Sequence, residues 1–270
     1  MTTWPEPHDP VAAGALAGLF RPARVEVAAV PVRAADPARL PPAVRAQAPA
    51  GARPGRLRTW TAGRLAASLA LARLGRDGWP APGPRGRPCW PAGVHGSISH
   101  TGDLAVCAVG PADGPLLGVD VERADRRLCP ADLLTSICDR AARDRVLAGP
   151  DPRAAALALL CAKEAVYKAL PAELQPGLPL SAVRLRPAGP GRFTAAVAGA
   201  TARVALTGAG PHLFAAVRMA GVRAPQAQTR GSADGRPSAD PRGRAPVSGA
   251  GPSRRRGAWA GPGPAAGPGR

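Results

Sequence analysis

The segment from Arg153 to Leu170 (RAAALALLCAKEAVYKAL) restricts the fold more than any other part of the chain. Its Ala and Leu content gives the longest helix signal in the sequence, and Pro171 stops it, so a long helix covered along most of its surface is expected. Glu164 and Lys168 fall on one face of this helix, four residues apart and in the favourable Glu-before-Lys order. A solvated surface pair would have that spacing too, but Leu157 to Cys161, Ala165, Val166 and Leu170 make the surroundings apolar. A carboxylate with Lys163 and Lys168 in such a helix needs a partner to offset desolvation, and a metal ion with phosphates would supply one.

The remaining pattern mixes helix and strand. Thr59 to Leu74 predicts a second helix, with Leu65, Leu69, Leu71 and Ala72 near one stripe and Arg64 and Arg73 toward its edges. Pro80 to Gly93 is too rich in Pro and Gly for regular structure and reads as loop. Leu104 to Val109 reads as a buried strand, and Leu116 to Glu122 as a second strand ending in acid. After the long helix, Ala182 to Arg186, Arg192 to Val197, Ala202 to Leu206 and Leu213 to Arg218 read as short strands joined by Gly and Pro turns. From Ala224 onward Pro, Gly, Ser and Arg dominate without apolar periodicity. Residues 224–270 are therefore expected to be disordered, having too little apolar surface to offset the entropy of ordering.

The charge of +18 would suit a nucleic-acid partner, but the segment 224–270 alone holds eight Arg and two Asp and so supplies +6 of it. A non-catalytic basic module for nucleic acid would also need interleaved aromatics or a groove-reading element, and aromatics are only 3% of the chain. The cysteines, Cys89, Cys107, Cys129, Cys138 and Cys161, are odd in number, widely spaced and without a CxxC pair. That argues against a zinc site or disulfide framework, and a reducing cytoplasm is the expected location. The start MTTWPEPHDP has neither a basic region nor an apolar core, and no run approaches a membrane span, so a soluble chain is expected.

In the strand from Leu117 to Glu122, Leu117, Val119 and Val121 point to the core while Asp120 and Glu122 share the other face. Carboxylates two residues apart on one strand face lie about 7 Å apart at Cα, near enough for both to bind one hard cation. An ordinary exposed strand end carries such acids as well. Ahead of it, His95-Gly-Ser-Ile-Ser99-His100 reads as a loop. It lacks the elbow of a serine hydrolase, and its Ser and His donors suit a phosphate better than a nucleophilic dyad.

Taken together, WPAGVHGSISHTG, then GVDVE, then CAKEAVYKA resemble the Sfp-type 4′-phosphopantetheinyl transferases, particularly the branch similar to the enterobactin-synthase component, over Arg56 to Val183. The resemblance implies an α+β fold of two similar lobes, residues 1–115 and 116–223. Each lobe would be a small antiparallel sheet on a long helix, related by a pseudo-twofold axis, with CoA and metal in the cleft between them. It implies Mg²⁺ ligands at Asp120, Glu122 and Glu164, and CoA contacts from Ser99, His100, Lys163 and Lys168. Arg56, Arg64 and Arg85 match the basic residues that hold the 3′-phosphate and pyrophosphate. Leu160 stands where the family motif commonly has Trp or Phe, which keeps apolar packing, and the Arg-rich tail has no place in the pattern.

The implied reaction is attack of a carrier-protein serine on the β-phosphate of CoA, releasing 3′,5′-ADP. Glu164 would be the base, directly or through a metal-bound water, and Lys168, alone or with Lys163, would stabilise or protonate the leaving phosphate. The implied partners are CoA and apo carrier domains of siderophore, peptide, polyketide or fatty-acid synthases, met by a monomer. A magnesium-dependent CoA-binding hydrolase would share the metal site and differ in the acceptor.

Overall fold

A computed structural model describes residues 8–21 and 23–220, at Arg85 by its backbone only. The segment 224–270, expected to be disordered, lies outside the described residues. In chain order the elements are α1 (Pro10–Phe20), β1 (Glu26–Pro31), the single turn α2 (Pro42–Arg45), α3 (Pro54–Arg73), and the two-residue strands β2 (Ala81–Pro82) and β3 (Pro88–Cys89). There follow β4 (Val94–His100), β5 (Leu104–Pro111), β6 (Leu116–Arg123), α4 (Pro130–Ile137), α5 (Arg140–Leu147) and α6 (Pro152–Ala169). The last four strands are β7 (Arg184–Gly189), β8 (Arg192–Val197), β9 (Ala200–Ala209) and β10 (His212–Met219).

The result is the α+β arrangement of two antiparallel sheets, each packed on one long helix. The first sheet has the order β1-β5-β4 and the second β6-β10-β9-β8-β7. Alanines 62, 66 and 70 of α3 meet Ala28, Val30, Ala105 and Cys107 of the first sheet, and the small side chains let helix and sheet approach closely. In the second layer Ala165, Val166 and Ala169 of α6 meet Val204, Ala215 and Val217. Leu16 and Phe20 of α1 then cover the reverse faces of both sheets, packing on Val106, Val119 and Phe214. Two of the few aromatics, Phe20 and Phe214, are thus fully buried in the core that joins the sheets. Among the described residues no helix is long and apolar enough to cross a membrane.

The long helix starts one residue earlier than its apolar pattern, because Asp151 accepts from the Ala154 amide at 2.9 Å and Pro152 opens the first turn. Gly118 fixes its contact with the second sheet. An ideal Cβ there would lie 1.9 Å from the Ala165 carbonyl oxygen, so only glycine lets α6 rest on β6 at this point.

Three expectations are corrected. His95–His100 is strand, not loop. Its Gly and Ser content has low strand propensity, but its backbone pairs with β5, Ser97 opposite Ala108 and Ser99 opposite Val106. Pro80–Gly93 contains a short ladder, Ala81 opposite Cys89. In α3 the buried stripe is rotated from the one expected, so that Ala72 is exposed and Arg64 is buried. The helices α1, α4 and α5 and the strand β1 had no counterpart in the sequence reading.

Candidate functional site

Where β4, β6 and α6 converge, a cleft of about 360 Å³ is lined by Ser99, His100, Asp120, Glu122, Glu164 and Lys168. The two sheets meet here without a backbone ladder between them. Instead the Ser97 Oγ accepts from the Val119 amide at 3.0 Å and the Ser99 Oγ from the Val121 amide at 3.4 Å. These two buried hydroxyls stand in for strand carbonyls and bring the β4 motif beside the acidic strand.

Asp120 is buried. Its Oδ1 accepts from Ser99 Oγ at 2.7 Å and from Lys168 Nζ at 2.6 Å, and Lys168 also donates to Ser99 Oγ at 2.9 Å. Its Oδ2 is buried without a hydrogen-bond partner. Glu122 accepts from Arg126 Nη1 at 2.8 Å on both oxygens. Burial raises the Glu122 carboxyl above its ordinary value against the pull of Arg126, and Asp120 adds to the rise. Burial likewise raises Glu164, opposed by Lys168 and reinforced by Asp120 and Glu122. At the mouth, Arg56 Nη1 lies 3.0 Å from His100 Nε2. A guanidinium can only donate, so Nε2 accepts and the imidazole is neutral. Desolvation holds the His100 pKa below its usual value, and the cations of Arg56 and Lys168 lower it further.

Three carboxylates around one cleft, two of them with raised pKa and one with an orphaned buried oxygen, form a donor set suited to a hard cation. As the side chains lie, no group of three His, Cys, Asp or Glu among the described residues is arranged to hold a metal ion. The reason is visible in the contacts: Lys168 and Arg126 already neutralise Asp120 and Glu122, and a cation would take over from them. The fit is therefore one of chemistry and proximity, with Lys168 and Arg126 as the present counter-ions.

Of the residues singled out from sequence, Ser99, His100, Asp120, Glu122, Glu164 and Lys168 come together, and Arg56 reaches them through His100. Lys163 does not, which corrects its expected CoA contact. Its Nζ is turned away and donates to the carbonyls of Ile137 at 2.6 Å, Val183 at 2.7 Å and Leu180 at 3.1 Å. Arg64 is buried under the Trp60 ring at 5.4 Å and does not line the cleft, although its Nε lacks a partner. Arg85 sits in the turn Pro84–Gly86. His95 contacts the Pro111 carbonyl at 3.0 Å, outside the cleft. The sequence reading missed Ser97 and Arg126. Ser97 was signalled by its two-residue spacing from Ser99, whereas Arg126 follows the strand in a segment with no periodicity.

Comparison with known proteins gives two matches to family sequence profiles: the 4′-phosphopantetheinyl transferase N-terminal domain over residues 45–110, and the 4′-phosphopantetheinyl transferase superfamily over 116–217. The enterobactin synthase component D of Salmonella typhi is 38% identical over 109 residues, 40% of this chain and 45% of that protein. The 4′-phosphopantetheinyl transferase PptT of Mycobacterium tuberculosis is 39% identical over 114 residues, 39% of this chain and 47% of that protein. The chain thus spans about half the length of the curated relatives it matches. Among solved structures, the holo-[acyl-carrier-protein] synthase of Thermotoga maritima matches 38% of this chain and 62% of its own, with a TM-score of 0.32 and 22% identity.

Proposed function

The chain belongs to the 4′-phosphopantetheinyl transferase superfamily, and from that premise we propose that it transfers the 4′-phosphopantetheine arm of CoA to a serine of an apo carrier protein. The reaction is magnesium-dependent and releases 3′,5′-ADP. The division into lobes 1–115 and 116–223 belongs to the same proposal. The observation that carries it is the convergence of Asp120, Glu122 and Glu164 with Lys168 in one cleft, with a buried Asp120 oxygen left unpaired. Relatives named enterobactin synthase component D favour carriers of siderophore or peptide synthases as the acceptors.

Asp120, Glu122 and Glu164 would hold the Mg²⁺, which when bound neutralises charge spreading over the pyrophosphate. The serine oxygen forms a bond to the β-phosphorus while the bond from that phosphorus to the bridging oxygen breaks, leaving 3′,5′-ADP. Glu164 is assigned to accept the serine proton. Lys168, released from Asp120, faces the leaving phosphate, and Arg56 with His100 holds phosphate at the mouth.

Intact-mass analysis of several apo carriers incubated with the protein, CoA and Mg²⁺ tests the reading. A phosphopantetheine adduct is expected, and Glu164→Gln is expected to lose it while CoA binding by calorimetry persists. No adduct on any carrier, with CoA intact, refutes transfer. Conversion of CoA to 3′,5′-ADP without an adduct replaces it with the hydrolase.

A further inference from the structure

We propose that the reverse face of the second sheet is a docking surface for an acidic helix of a partner protein. Strand register aligns Leu117, Arg218, Arg203, Thr194 and Arg186 in one row across the sheet, with Thr201, Ala196 and Arg184 in a parallel row. Four arginines, Arg184, Arg186, Arg203 and Arg218, line a shallow concavity of about 610 Å³ here. It is separate from the cleft. Asp120 stands opposite Ala215 on the face toward α6, whereas Arg218 stands opposite Leu117 on the face toward α1.

Several other arginines of the second half have carboxylate partners. Arg123 binds Asp103 and Asp125, Arg126 binds Glu122, and Arg140 and Arg143 bind Asp144. Among the described residues none of the four has a carboxylate partner, and the one contact is Arg218 Nη1 to the Phe20 carbonyl at 3.5 Å. Arg203 and Arg218 are direct neighbours on adjacent strands, a like-charge pairing that weakens the sheet unless something negative covers it.

The shape selects the occupant. On this face α1 lies over β9 and β10, while Arg184, Arg186, Thr194, Ala196, Thr201 and Arg203 stay exposed. From β9 to β7 is two strand spacings, about 10 Å, which is the width of one helix laid beside α1. Thr and Ala between the arginines leave room for it, and carboxylates one helical turn apart, about 5.4 Å, come near the roughly 6.8 Å between Arg184 and Arg186 along β7. The open part of the face carries no aromatic residue on which a base could stack, which disfavours single-stranded nucleic acid.

The test is fluorescence anisotropy with a labelled helical peptide carrying Glu at every fourth position, titrated with the full chain. Binding that weakens with salt is expected. The double variant Arg186→Glu/Arg203→Glu is expected to weaken it at least tenfold, while Arg45→Glu/Arg145→Glu, with the same change in net charge, leaves it near the wild type. Circular dichroism of both variants verifies folding. Equal affinity of the wild type and Arg186→Glu/Arg203→Glu overturns the proposal. So does a labelled DNA duplex whose affinity falls more than that of the peptide, since the face would then belong to nucleic acid.

Discussion

Gly118→Ala should damage both the fold and the site, because the methyl group has nowhere to go. Its Cβ would stand 1.9 Å from the Ala165 carbonyl oxygen and 3.0 Å from both the Ala165 carbonyl carbon and Ala169 Cβ, where ordinary contact begins near 3.4 Å. The obstacle is helix backbone and cannot rotate aside, so α6 must withdraw from β6 by about 1.5 Å, the difference between those distances. Overpacking of this kind costs up to about 3 kcal/mol. In a domain of this size each kcal/mol lowers the melting temperature by about 2–4 °C, so a fall of up to about 6–12 °C is expected. Glu164 and Lys168 flank Ala165 on α6 and would move with it, stretching the 2.6 Å contact from Lys168 to Asp120. A misplacement of about 1 Å at a reacting centre can cost about 100-fold in rate, so transfer should fall by at least that much. Calorimetric melting and the intact-mass assay measure the two effects. Gly55→Ala is the control, because a Cβ there meets nothing within 4 Å. If Gly118→Ala melted with the control, the close approach of α6 to β6 would be wrong.

Two further outcomes follow from the charges. Burial raises the Glu164 pKa, so ionising this carboxyl costs more in the folded state than in the unfolded one. That cost is absent below the ordinary carboxyl pKa of about 4.3 and complete once pH exceeds the raised value. Glu164→Gln should therefore raise the melting temperature at pH 7.5 and give little gain at pH 4, and a loss of stability at pH 7.5 would contradict this. Lys163→Met removes a cation that three carbonyls accept from in the interior. Relief of its desolvation offsets only part of the loss, so about 3 kcal/mol of destabilisation is expected by urea unfolding. Its CoA affinity by calorimetry should match the wild type, because Lys163 does not face the cleft.

The chain's own periodicity determined that α6 is long, that β6 is a strand with Asp120 and Glu122 on one face, and that Glu164 and Lys168 share a helix face. Each follows from a repeat of two or about four residues, which local geometry enforces whatever surrounds it. The family motifs added the grouping of these elements. Neither could assign Lys163 its three internal carbonyls, since those acceptors come from α4 and from the segment before β7, far from it in sequence. The strand state of His95–His100 was hidden for a similar reason: Gly and Ser carry little strand preference, and pairing with β5 supplies it. Tertiary structure alone also decided that Ser97 and Ser99 join the two sheets and that Lys168 and Arg126 neutralise Asp120 and Glu122. A hydrogen bond or ion pair between distant segments depends on where the packed cores hold the backbones, and no local repeat records that position.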